Sequence, residues 1–82
     1  MGKQFKVISS TPTFVLTWRR HGNQRWYTIE VRPSWLDRNT TDAIRNHFDP
    51  SRKLAARSAW SYNYTDRKQA EQLYTMALLR WS

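Results

Sequence analysis

Residues 13 to 32 hold two alternating runs of apolar and polar side chains on either side of the pair Gly22-Asn23. Gly-Asn favours a two-residue hairpin turn, because glycine at the first central position adopts a positive φ at no steric cost. A turn at these two residues pairs positions whose numbers sum to 45. One face of the predicted hairpin then carries the apolar pairs Trp18 with Tyr27, Leu16 with Ile29, and Phe14 with Val31.

The opposite face of this hairpin carries mainly small, polar and charged side chains. Arg19 lies opposite Trp26 there, nearest to the turn. A slip of one residue would mix the two sets, so the turn and the alternation favour the same register. The remaining pairs on this face are Thr17 with Thr28, Val15 with Glu30, and Thr13 with Arg32.

Two further segments have the alternation of strands. KQFKV, upstream of the hairpin, predicts a first strand and a three-stranded meander, with residues 9 to 12 as the connection. Residues 58 to 64 place Trp60, Tyr62 and Tyr64 at a spacing of two, which predicts a fourth strand. These three rings are a candidate platform for unpaired bases. A core role is favoured, because the residues between them are small.

The other segments have helical signals. Residues 35 to 48 predict one helix or two short turns, started by Ser34 with Asp37 or by a cap at Thr40 or Thr41. Asp49-Pro50 ends this segment and is a candidate start for a short helix through residue 56. Asp66 to Trp81 predicts the last helix, capped by Thr65. Its apolar positions follow helical spacing and are Ala70, Leu73, Tyr74, Ala77, Leu78 and Trp81.

The element order β-β-β-α-β-α predicts an α+β fold, a two-layer sandwich with helices packed on one face of a mainly antiparallel sheet. Residues 1–82 are expected to form a single compact domain, with the other sheet face open to solvent. A chain of 82 residues without cysteine must fill its core with large side chains, and it has twelve aromatic residues. Zero cysteines and two scattered histidines predict no disulfide, no metal site and no cofactor.

The formal net charge of +8 indicates an anionic partner, and ten of the fourteen cations are arginine. Arginine makes two-point contacts to phosphate and stacks on rings, which lysine does not. We therefore predict a small basic nucleic-acid-binding protein that contacts phosphates through arginines, with optional base stacking on aromatic rings. The type of nucleic acid is left open.

Two groups of residues are candidates for this binding. At the hairpin tip, Arg19, Arg20 and Arg25 surround the turn beside Trp26, and they could grip a phosphate backbone. The alternative there is a solvated loop with a cation–π pair between Arg19 and Trp26. A second positive stripe, for which a solvated helix surface is the alternative, consists of Arg45, Arg52, Lys53 and Arg57, with Arg67 and Lys68 further along the chain. Arg32 is a further candidate.

A different class of function fits the same composition. Tryptophan and arginine are enriched at the energetic centres of protein interfaces. The alternative is thus a small accessory or inhibitory factor, of viral or mobile-element type, that docks on an acidic surface of a larger nucleic-acid-handling complex. Catalysis is not expected, because no spacing connects Glu30, His21 and His47. With no apolar run of membrane-spanning length, we expect a cytoplasmic monomer or weak dimer without membrane contact.

Overall fold

The computed structural model describes residues 3–32, 37–50 and 61–81. The strands are β1 (Gln4–Ser10), β2 (Phe14–His21), β3 (Gln24–Val31) and β4 (Ser61–Tyr64), and the helices are α1 (Arg38–Phe48) and α2 (Arg67–Trp81). The four strands form one antiparallel sheet in the order β1-β2-β3-β4. The predicted α+β class and element order are confirmed.

The β2–β3 hairpin has the register that the turn predicts. Trp18 pairs with Tyr27, Leu16 with Ile29, and Arg19 with Trp26. Gly22 has a φ of 63°, a left-handed conformation that a side chain would strain, although a Cβ there would meet no other atom. Local turn chemistry and the two-residue alternation are therefore sufficient to fix this part of the sheet.

The core lies between the apolar face of the sheet and the two helices. Phe14, which is completely buried, lies 6.1 Å between ring centroids from Phe48 of α1. Phe48 also stacks on Tyr62 of β4 at 5.2 Å. The buried side chains that complete this cluster are Leu16, Ile29, Val31, Ile44, Ala70, Tyr74 and Ala77.

Aspartates cap both helices, whereas the sequence favoured threonine. The Asp37 carboxylate accepts a hydrogen bond of 2.7 Å from the Thr40 amide, and hydrogen bonds from Thr40 lower the pKa of Asp37. Asp66 precedes α2 and accepts from the Lys68 amide at 3.0 Å. Caps at Thr40, Thr41 and Thr65 are thus wrong, because in each helix the aspartate carboxylate reaches the free amides of the first turn.

Strand β1 is longer than predicted and contains a bulge. It continues through Ser10, and its register against β2 shifts between Val7 and Ser9. The extra residue reverses the alternation, so that Ser9 pairs with Leu16 on the side of the helices. There the Tyr74 hydroxyl donates to Ser9 Oγ at 3.0 Å.

The sheet face turned away from the helices is not open along its whole width. Val15, Thr17 and Thr28 on this face are buried, and the Thr28 hydroxyl donates to Asn63 of β4 at 2.8 Å. Phe5 and Val7 of the edge strand are exposed. The expectation of a fully open second face is therefore wrong at its centre. The predicted short helix through residue 56 and the beginning of the fourth strand lie outside the described residues.

Candidate nucleic-acid interface

The hairpin tip divides its cations between the two faces of the sheet. Arg19 pairs with Trp26 on the face away from the helices, and Arg20 pairs with Arg25 on the face towards them. Residues directly opposite each other in an antiparallel pair share a face, and successive residues alternate. The structure thus separates the predicted group of three arginines and one tryptophan into two pairs.

The helices cover only part of the sheet face on which Arg20 and Arg25 lie. α2 ends near Phe14, where the Trp81 ring lies 6.5 Å from the Phe14 ring between centroids. Towards the hairpin turn, Trp18 and Tyr27 are only half-buried and Arg25 is exposed. The tip of the hairpin therefore extends past the helical layer.

Two rows of side chains cross the strands at this end of the sheet face. The row nearer the turn contains Gln4, Arg20 and Arg25, in that order across β1, β2 and β3. The next row contains Lys6, Trp18, Tyr27 and Tyr64, across all four strands. Rows two residues apart are separated by about 7 Å along the strands. A basic row consequently lies next to an aromatic one.

Trp18 and Tyr27 of the aromatic row form the floor of an open cleft of about 410 Å³. We call it the Trp18 cleft. Lys6 lies on one side of it, and Arg67 at the start of α2 lies on the other. The residues that line it are Lys6, Val7, Ile8, Trp18, Tyr27 and Arg67.

Most positive charge around this cleft is not neutralised locally. Arg67 forms an ion pair with Glu71 at 2.8 Å, and this hydrogen bond raises the pKa of Arg67. Within the described part of the chain, Lys6, Arg20 and Arg25 have no carboxylate partner. Arg20 Nε instead donates to the Gly22 carbonyl at 3.0 Å. Because Arg20 and Arg25 are directly opposite like charges, they repel each other unless an anion lies between them.

On the other face, the Arg19 side chain lies over a neighbouring ring. Its guanidinium carbon is 5.9 Å from the Phe5 ring centroid, and its Nε has no hydrogen-bond partner among the described residues. Trp26 is half-buried beside it.

Of the further predicted cations, Arg67 reaches the surface at the hairpin end, where it lines the Trp18 cleft, whereas Arg32 and Arg45 do not. Arg32 is exposed just beyond β3, at the end of the sheet opposite the hairpin turn. Arg45 lies in the last turn of α1, close enough to Tyr62 for its charge to oppose part of the rise that burial causes in the Tyr62 pKa. Arg52, Lys53 and Arg57 lie outside the described residues, as does Trp60.

The aromatic residues of β4 are not a free stacking platform. Tyr62 is buried in the core, which confirms its predicted structural role. Tyr64 is half-buried, its hydroxyl donates to the Phe48 carbonyl at 2.7 Å, and burial raises its pKa. Among the described residues, Trp18, Trp26 and Tyr27 of the hairpin and Phe5 of β1 keep exposed ring surface instead.

His47, which the sequence offers as an acid–base candidate, is held by contacts with α2. Its Nε2 donates to the Leu73 carbonyl at 2.8 Å, and its ring contacts the Trp81 ring edge-on at 5.5 Å between centroids. The described ranges contain no group of three or more side chains that could hold a metal ion. None of the helices described is both long and apolar enough to cross a membrane.

Sequence reasoning missed Trp18, Tyr27 and Lys6 as candidate binding residues. Trp18 and Tyr27 belong to the apolar face, and that pattern alone assigns them to the core. A signal was present, because Arg20 and Arg25 continue the same face by the same alternation. An apolar face that becomes basic towards a turn indicates that the core ends before the strands do.

Comparison of the chain with protein-family models, with curated proteins and with solved structures finds no match.

Proposed function

We propose that this chain is a small nucleic-acid-binding protein that contacts phosphates through the uncovered tip of its hairpin. The observation that carries the proposal is the basic row that lies next to the aromatic row at the hairpin end of the sheet. Lys6, Arg20 and Arg25 supply charge for phosphate oxygens, and Arg67 adds a fourth cation at the cleft. Contacts of this kind supply affinity without reading sequence.

The arrangement of these charges favours an anionic ligand. In the unbound protein Arg20 and Arg25 repel each other, and no described carboxylate relieves that repulsion. A phosphate between the two guanidiniums replaces repulsion with charge-assisted hydrogen bonds. We propose that the protein acts in the cytoplasm. The proposed binding species is a monomer or weak dimer, because a net charge of +8 opposes close self-association.

The first test is the salt dependence of binding. We expect the affinity for an oligonucleotide to fall steeply between about 50 and 200 mM salt, with a log–log slope of about −2 to −3 on a single strand if three or four phosphates are contacted. Fluorescence anisotropy of labelled single-stranded and duplex DNA and RNA measures this slope. No binding to any of them, or an affinity independent of salt, would contradict the proposal.

Removing the negative charge beside Arg67 is expected to strengthen binding. Glu71→Gln leaves the Arg67 guanidinium without its ion-pair partner, and it removes a charge that repels phosphate. The gain should be about fivefold at about 0.1 M salt, the effect of one additional phosphate contact. Glu30→Gln, the same charge change at a residue on the other sheet face, is the control and should have less effect. Equal gains in both variants would show that only the overall charge matters.

A second candidate function is favoured by the exposed edge strand. Phe5, Val7 and Ile8 of β1 expose apolar surface on a strand that pairs, among the described strands, with β2 alone. Such an edge can pair with an extended segment of another protein. In this case the protein would act as an accessory or inhibitory factor docked on an acidic surface of a nucleic-acid-handling complex. A stoichiometric protein partner that survives nuclease treatment of a pull-down would support it.

A further inference from the structure

We infer that the Trp18 cleft binds single-stranded nucleic acid by stacking an unpaired base on its aromatic floor. This inference rests on the proposed function and adds strandedness and the mode of base contact to it. Its basis is the direct cross-strand pairing of Trp18 and Tyr27 in a cleft with Lys6 on one side and Arg67 on the other.

The position of the two rings makes them available to a ligand. Trp18 and Tyr27 are half-buried, so part of each side chain is packed and part reaches the cleft. Residues directly opposite in an antiparallel pair have Cβ atoms about 5 Å apart. Fixed side by side on neighbouring strands, the rings offer apolar surface that loses little conformational entropy on binding.

The size and charge of the cleft fit a nucleotide. Its volume of about 410 Å³ falls within the range of about 300 to 1,000 Å³ found for small-ligand sites. Because cations lie on both sides of the cleft, the phosphates of the bound strand can be contacted on either side of a stacked base. Arg20 and Arg25 continue the positive surface by one row of residues towards the turn.

These features favour a single strand over a duplex. The bases of a duplex are stacked on one another, so only a frayed or broken end exposes a base face. Proteins that bind single strands combine a positive groove with aromatic rings, and each stacked base contributes about 1 to 3 kcal/mol. A hairpin inserted into a duplex groove would use Arg20 and Arg25 but would leave the floor of the cleft unused.

Trp26 is a matched control within the same hairpin. It is half-buried like Trp18, but it lies on the opposite face, where Arg19 is placed over Phe5. A general loss of folding would weaken binding in both tryptophan variants. A loss of binding confined to the Trp18 variant identifies the cleft.

The experiment compares three probes by fluorescence anisotropy at constant salt. They are a 12-nucleotide oligodeoxythymidine, an abasic strand with the same number of phosphates, and a 12-base-pair duplex. We expect the wild type to bind the thymidine strand about tenfold more tightly than the abasic strand, which corresponds to the lower part of the stacking range. Trp18→Ala should abolish this preference and Trp26→Ala should retain it.

Trp18→Leu separates loss of stacking from loss of folding, because it keeps apolar bulk in the cleft without a planar ring. Circular dichroism checks that this variant is folded. A folded Trp18→Leu variant that keeps the tenfold preference would overturn the inference. So would a wild type that binds the thymidine and abasic strands equally, or the duplex most tightly. Those results leave phosphate binding intact, whereas failure to bind any probe overturns the proposed function as well.

Discussion

Replacing Lys6, Arg20 and Arg25 together by glutamine is expected to weaken binding of a single-stranded oligonucleotide about 100-fold at about 0.1 M salt. The three cations surround one uncovered area of sheet, and none has a carboxylate partner in the described ranges. Each phosphate neutralised on a single strand contributes about 0.7 to the log–log salt slope. Three lost contacts should therefore also make the slope about two units shallower.

The control for this variant removes equal charge elsewhere. Arg32, Arg38 and Arg80 are exposed, and none of them lines the Trp18 cleft. Replacing these three by glutamine lowers the net charge by the same amount and should reduce affinity much less. Similar losses in both triple variants would contradict a localised binding surface and would indicate attraction by overall charge alone.

Phe14→Ala is expected to remove about 3 to 5 kcal/mol of stability, the usual cost of truncating a fully buried phenylalanine. Phe14 is completely buried and contacts aromatic rings of both helices, Phe48 and Trp81. A chain of this length has a total free energy of unfolding of about 4 to 12 kcal/mol. The substitution should therefore remove about a quarter of the stability at the least, and all of it if the total is low.

Urea unfolding followed by circular dichroism measures this effect, and Phe5→Ala provides the control. Phe5 is the same residue type on the same sheet, but 68% of it is exposed. Its truncation should change the free energy of unfolding by no more than about 0.5 kcal/mol, as for most surface substitutions. Equal destabilisation by both substitutions would contradict a core organised around Phe14.

The helix ends show where sequence reasoning loses accuracy. Threonine and aspartate are both good N-cap residues, and each predicted threonine cap had an aspartate nearby in the sequence. The side chain that caps is the one at the residue where the backbone changes from extended to helical. At Asp37 the ψ angle is 170°, which places the change there. Residue preference alone does not identify that point.

The candidate binding residues also divide into those that the sequence reveals and those that only the fold reveals. Arg20 and Arg25 were predicted because cations around a glycine turn are visible in the sequence. Trp18 and Tyr27 were assigned to the core, because periodicity reports which face a side chain is on but not how far a helix covers that face. The bulge in β1 could not be predicted from the sequence either, because only the pairing of β1 with β2 reveals it.

The sequence by itself determined the hairpin register, the α+β class and the apolar stripe of α2. These depend on local turn chemistry and on periodicity, which act over a few residues. Only the tertiary structure decided how far the helices cover the apolar sheet face and that a cleft opens over Trp18. Those properties depend on where α2 begins above the strands, and contacts between residues far apart in the chain fix that position.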